Sequence, residues 1–224
     1  MSTFILSFTM HTDYSSMFVC TKYSQGTSNI LGTYALATTS ECVQGSTWYK
    51  AAYDIALDIG IKHTVSVEDV ALTIAALSPT NRWERNLIDA ENFIKLFTVG
   101  DPNDCLNLNV CTYPNNKVKA LKILQAKTMK DKLNILKGPK ITEFYKCIIG
   151  DKKECCIDGH AYCVWLGQRL TLKDVPSISK KLRERIKLDY QLATQLINDD
   201  LKLKYTVSQI QAITWVTHRR LYDI

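Results

Sequence analysis

From residue 46 onward, apolar positions recur at helical spacing. The first such stretch runs through Trp48, Ala52, Ile55, Ala56 and Ile59, with Ser46 and Thr47 available as caps and Gly60 as the stop signal. Ser66-Val67-Glu68-Asp69 is close to a capping box and opens residues 70–77, which are apolar nearly all round and predict a central buried helix. Residues 78–82 read as a loop, and residues 83–97 as a helix turning Leu87, Ala90, Ile94, Leu96 and Phe97 inward. A long connection is expected at 98–116, around Gly100-Asp101-Pro102-Asn103 and Tyr113-Pro114-Asn115-Asn116. Short helices follow at 117–126 and 128–136. A long amphipathic helix is predicted at 180–203 through Ile186, Tyr190, Ala193, Ile197 and Leu201. The last, at 208–220, buries Ile210, Ile213, Trp215 and Val216, with Thr206 or Ser208 as its cap. Residues 1–45 are rich in Ser, Thr, Tyr and Gly, with short apolar pieces at 3–10, 16–21 and 31–37, and read as an N-terminal arm, irregular or with a small β element. The expectation is a mainly α protein: an arm over 1–45, then one helical domain over 46–224.

Composition changes this little. Among 224 residues, 46% are hydrophobic and 22% charged, as in ordinary globular chains with ample core material. Nine Gly and five Pro are too few for an all-β sandwich with many tight turns. The net charge of +6 conceals an asymmetry. Residues 117–153 hold eleven Lys against Asp131, Glu143 and Asp151, a local excess of +8 that leaves −2 for the rest. A focused basic stripe suits a polyanion; a solvated lysine-rich helix face is the plainer reading. The eight Cys include no Cys-x-x-Cys and no zinc-finger spacing, so no metal site is expected, and the chain reads as reduced, intracellular and cytoplasmic. The N-terminus lacks the basic flank of a signal peptide, and the longest apolar runs are about half of the ~20 residues a membrane span needs, so no membrane partner is expected.

The chemistry concentrates in residues 133–165. Leu136-Lys137-Gly138-Pro139-Lys140 is a tight turn opening a helix, and Ile157-Asp158-Gly159-His160 opens the next. Lys140 and Asp158, 18 positions apart, thus stand at two helix mouths. A cation at a helix N-terminus is misplaced by about 0.3–1 kcal/mol, but a positive neighbourhood together with burial frees a lysine amine as a nucleophile. Asp158 before a helix is first of all an N-cap, a role compatible with catalysis. Backbone N–H groups at the turn, with Lys137, Gly138, Lys140 and Lys146, would form a sequence-independent phosphate grip. Trp83, Tyr113 and Tyr145 are candidates for base stacking, although aromatics at helical spacing are more often core. His218-Arg219-Arg220 would reach phosphates or simply end a helix.

These residues resemble the helix-hairpin-helix DNA glycosylase superfamily of endonuclease III. In that family a hairpin ends in a catalytic lysine and an apolar-Asp-Thr-His string follows; Lys140 and Ile157-Asp158-Gly159-His160 are similar in kind and spacing. Residues 70–77 followed by Ser78-Pro79-Thr80-Asn81 resemble the family's buried helix and DNA-intruding loop. Tyr113-Pro114-Asn115-Asn116-Lys117-Val118-Lys119-Ala120 resembles its Asn-x-Lys-Ala segment. The hairpin departs from the family in having one glycine and Pro139, which has no N–H to offer. Thr80 stands where the family intrudes a glutamine, leaving Asn81 or Arg82 to substitute. No Cys follows Cys163, so the family's iron–sulfur cluster is absent.

The resemblance implies a two-lobed helical fold that flips a damaged or modified base from double-stranded or locally single-stranded DNA. It implies a monomer without cofactor. Lys140 and Asp158 would be catalytic, with His160 orienting Asp158 or serving structure alone, and Lys137, Gly138, Lys146, Thr80, Asn81, Arg82 and Lys117 would contact DNA. Lys140 attack at C1′ would give a glycosylase with lyase activity; Asp158 activating water would give a glycosylase alone. Two alternatives stand beside it: a non-catalytic helix-hairpin-helix DNA-binding protein, and a phage-type DNA base-modification enzyme on the same fold.

Overall fold

A computed structural model describes residues 23–171 and 173–223. Among these there are ten α-helices, one 3-10 turn (Pro102–Asn107) and no strand. The helices are α1 (Gln25–Ala35), α2 (Thr39–His63), α3 (Val67–Leu77), α4 (Trp83–Val99), α5 (Pro114–Gln125), α6 (Met129–Leu136), α7 (Pro139–Ile148), α8 (Gly159–Leu166), α9 (Lys180–Leu201) and α10 (Val207–Tyr222). None is long and apolar enough to cross a membrane.

Two hydrophobic cores result. In the first, α3 is buried from Val70 to Leu77, as its uniform apolarity predicts, because α2, α4, α5, α6 and α7 all pack around it. The second gathers Ile30 of α1, Ile157, Val164, Ile186, Tyr190 and Ile210 from α1, α8, α9, α10 and the segment before α8. The two are joined chiefly along α2 and α10, the most extensive helix pairing in the protein. Gly45 permits it: a Cβ there would lie 2.4 Å from the Ile213 Cα, so the two backbones touch. Glu41 of α2 ties the far end by accepting from Arg220 of α10 at 2.6 Å.

The start of the chain corrects the expected arm. Residues 31–37 fall in α1 and the turn after it, because Ile30 is fully buried in the second core and tertiary packing overrides a weak local pattern. The helix expected from residue 46 begins at Thr39, where Thr38 and Glu41 form a capping box. Residues 23–45 therefore belong to the helical body. The apolar pieces at 3–10 and 16–21 lie outside the described residues.

Helix α2 also runs past Gly60 to His63. It ends on Thr64, at φ 57° and ψ 43°, with the Val65 N–H reaching the Gly60 carbonyl at 2.9 Å. A β-branched residue in the left-handed region is strained at a position where glycine is the usual choice. Thr64→Gly is expected to stabilise the fold by about 1 kcal/mol, seen as a higher urea midpoint at unchanged slope.

Candidate functional site

The hairpin is built from α6 and α7. Thr128 caps α6 by accepting from the Asp131 N–H at 3.1 Å. The chain then reverses over Lys137 (φ 33°) and Gly138 (φ 98°). A Cβ on Gly138 would meet only ordinary contacts, so the glycine is required by its backbone conformation rather than by space. Pro139 takes the first helical position, where a missing N–H costs nothing. Lys140 follows, exposed to solvent.

A charged clamp sets the segment before α8. Glu143 of α7 is 3% exposed; it accepts from the Ile157 N–H at 3.0 Å, from Arg183 at 2.5 Å and from Lys187 at 2.9 Å. Arg183 also donates to the Ile157 carbonyl at 2.8 Å, so both backbone groups of the residue preceding Asp158 are held. Glu154 accepts from Lys187 at 2.5 Å and from Lys146 at 3.3 Å. Burial pushes the Glu143 carboxyl above its ordinary value, against the pull of Lys187 and Arg183. Burial also opposes the Lys187 ammonium, but hydrogen bonds to Glu154 and Glu143 outweigh it and raise its pKa. The result is a fixed platform for Asp158, which caps α8 by accepting from the Ala161 N–H at 2.8 Å.

Against the first core, beside Asp158 and α10, there is a pocket of about 210 Å³. That is several times the ~30 Å³ share of one water and below the ~300–1,000 Å³ of drug-sized sites, a volume matched to a single small ring system. Its walls come from Trp48 and Tyr49 of α2, Ser78 and Asn81 of the loop after α3, Trp83 and Asn86 of α4, Lys140 and Phe144 of α7, Cys156 and Asp158, and Gln211, Ala212 and Trp215 of α10. Trp48 is central to the aromatic wall. Its ring lies 4.9 Å from Trp83, 5.9 Å from Trp215 and 6.1 Å from Phe144, centroid to centroid. Tyr49 donates to Gln211 Oε1 at 2.9 Å and, being buried, has its pKa pushed well above the ordinary tyrosine value. Cys156 is buried too, its thiol pushed up by burial first and by Asp158 next.

Of the residues singled out from sequence, Lys140, Asp158, Asn81 and Trp83 line this one pocket. Thr80 sits on its rim loop at φ 63°, a strained conformation for a β-branched residue. Arg82 is exposed beside it at the start of α4. Lys137 and Gly138 are exposed at the hairpin. Two expected DNA contacts are otherwise occupied: Lys117 donates to the carbonyls of Leu106 at 2.6 Å and Leu108 at 3.1 Å, and Lys146 pairs with Glu154. Tyr145 is core, Tyr113 is 60% exposed, and Arg220 is paired with Glu41. Instead of bonding Asp158, His160 packs its ring against Trp215 (6.3 Å) and His218 (5.8 Å). Sequence reasoning missed Tyr49, Asn86, Phe144 and Gln211, and placed Trp48 and Trp215 only in apolar stripes.

His218 itself is 4% exposed, and neither ring nitrogen has a hydrogen-bond partner. Burial first, then the adjacent His160, pulls its pKa to about 4; Asp158 opposes this and Arg169 adds to it. The unfolded chain, near its ordinary ~6.5, takes up the proton first as pH falls. Stability is therefore expected to drop by roughly 2 kcal/mol between pH ~6.5 and ~4, and His218→Phe should remove that part of the decline in thermal melts.

Among the described residues no group of three or more His, Cys, Asp or Glu is placed to hold a metal ion. Beside the hairpin, Lys119, Lys122 and Lys137 line a second, open groove, with the Lys119 amine 3.3 Å from the Lys137 carbonyl.

Residues 16–221 match a family of unknown function, DUF7178, and the chain belongs to that family. No curated protein and no solved structure matches it.

Proposed function

We propose that this member of the DUF7178 family is a DNA base-excising enzyme, a glycosylase with lyase activity at Lys140. The observation that carries the reading is that Lys140 and Asp158 line one aromatic pocket. An amine and a carboxylate lining an aromatic pocket can together cleave an N-glycosidic bond and hold the sugar covalently. A base rotated out of the DNA stack has room there, with Trp48, Trp83 and Trp215 in the wall. The exposed hairpin at Lys137 and Gly138, the rim loop at Thr80, Asn81 and Arg82, and the Lys119 and Lys122 groove supply contacts for the sugar-phosphate backbone.

In the proposed chemistry, the Lys140 amine attacks C1′. The C1′–base bond breaks, and the base leaves with the bonding electrons. The carboxylate of Asp158 stabilises the positive charge developing at the sugar and passes the proton shed by the amine to the departing base. Opening of the sugar ring then breaks C1′–O4′, protonates O4′ and leaves an iminium between C1′ and the lysine nitrogen. Loss of a C2′ proton expels the 3′ phosphate and nicks the strand.

Borohydride reduces such an iminium to a stable amine. Incubating the protein with DNA carrying a single abasic site and borohydride is expected to give a covalent protein–DNA adduct on a denaturing gel, absent for Lys140→Gln. No adduct, with base release intact, would move the chemistry to water activated by Asp158. One observation favours a non-catalytic DNA-binding reading: Asp158 already has a structural task as the α8 cap. Neither adduct nor base release, with DNA binding retained, would establish that reading.

A further inference from the structure

We propose that the open groove between α5 and α6 is a phosphate-binding site in its own right, holding a pair of adjacent phosphate groups among Lys119, Lys122 and Lys137. The groove shares no lining residue with the aromatic pocket, so the inference stands apart from the base-excision reading.

Two helix faces make the groove. Asn115, Lys119 and Lys122 recur at i, i+4 and i+7 on α5 and so share one side of it. Asp131 and Asn134 recur at i and i+3 on α6. Lys137 adds a third amine where the chain leaves α6 for the hairpin. The space measures about 610 Å³, within the ~300–1,000 Å³ of small-ligand sites. A ligand can reach it from solvent, since Lys122 and Lys137 are exposed and Lys119 is only half-buried.

The charge here is uncompensated. Three lysines against Asp131 leave the lining with a net charge of +2. Elsewhere in the basic stripe Lys132 pairs with Asp69 and Lys146 with Glu154, but among the described residues none of the three groove lysines is in an ion pair. Lys119 donates to the Lys137 carbonyl at 3.3 Å, a neutral partner. Burial lowers the pKa of its ammonium, a cost that a bound anion offsets. Asp131 is engaged already: its carboxylate accepts from the Thr128 hydroxyl at 2.6 Å, in the first turn of α6, where the helix dipole favours negative charge. Phosphate suits such a site, because its ionised oxygens accept and each ammonium only donates. Lys122 stands about 4.5 Å further along α5 than Lys119, which spreads the amines over more than one phosphate.

Calorimetric titration of the full-length protein with inorganic pyrophosphate tests the site. Wild type is expected to bind, and Lys119→Gln, Lys122→Gln and Lys137→Gln each to bind roughly 5–10-fold more weakly. Lys127→Gln and Lys130→Gln remove exposed charges of the same stripe that lie outside the groove, and are expected to change binding less than about twofold. Because Lys122 and Lys137 are exposed, their variants still report should Lys119→Gln loosen α5. No pyrophosphate binding, binding that the three groove variants leave unchanged, or equal losses in all five variants, as a solvated lysine face would give, would each overturn the inference. Two sources of paired phosphates are then told apart by the anisotropy of labelled DNA. If pyrophosphate displaces the DNA and the same three variants weaken it, the ligand is the sugar-phosphate backbone. If DNA binding ignores both, the site takes a free polyphosphate compound.

Discussion

Glu143→Ala is expected to destabilise the fold by about 3–5 kcal/mol, the cost of breaking a buried ion pair from one side. The variant would leave Arg183, largely shielded from solvent, without its carboxylate, Lys187 with Glu154 alone, and the buried Ile157 N–H without its acceptor. Against a typical domain stability of about 5–15 kcal/mol, that is a large fraction. Urea denaturation measures it, and Glu143→Gln separates its parts, since glutamine still accepts from Ile157 but carries no charge. A loss near 1 kcal/mol in Glu143→Ala would mean that the network is less shielded than its burial implies. The segment leading to Asp158 should loosen with it, because Arg183 then grips only the Ile157 carbonyl.

The second large effect concerns chemistry rather than folding. Asp158→Asn is expected to lower base release by about 10²–10⁴-fold while the protein melts normally. Asparagine caps a helix as well as aspartate does, so the Ala161 N–H keeps its acceptor. What disappears is the negative charge facing the pocket. Loss of stability alongside activity would place Asp158 in the fold alone. Unchanged stability with lost activity and retained DNA binding would assign it to the reaction.

Much of the helical scaffold could be read from caps and periodicity. Ser66 and Thr206 cap α3 and α10 through side-chain oxygens, and the uniformly apolar α3 is the centre of the first core. Two starts were visible but overlooked. Pro114 opens α5 at the first helical position, a favoured place for proline, inside what reads as a connection. Thr38 and Glu41 form the box that starts α2, but Gly45 and Ser46 a few residues on resemble a break; the glycine is there because α10 approaches too closely for a side chain.

The site was legible in part. Lys140 and Asp158 stood out because each sits at a helix mouth, and the fold sets both on one pocket. Its aromatic wall was not, since Trp48, Trp83 and Trp215 occupy spacings that core residues also occupy, and only packing of α2, α4, α7 and α10 separates the two cases. Nor was the clamp: Glu143 and Arg183 are 40 positions apart, and no local pattern links them. Lys117 and Lys146 show the converse error. Both belong to a basic stripe, yet one is tied to carbonyls and the other to Glu154, so charge density alone overstates how many of its lysines stand unpaired.

The most direct test of base excision is mass spectrometry of free bases released from DNAs carrying natural, damaged and hypermodified bases, with wild type beside Asp158→Asn. The account predicts that wild type releases one class of base, and that Asp158→Asn releases it at a small fraction of that rate. Release undiminished in Asp158→Asn, or no release from any DNA by a folded protein that binds it, would contradict the account.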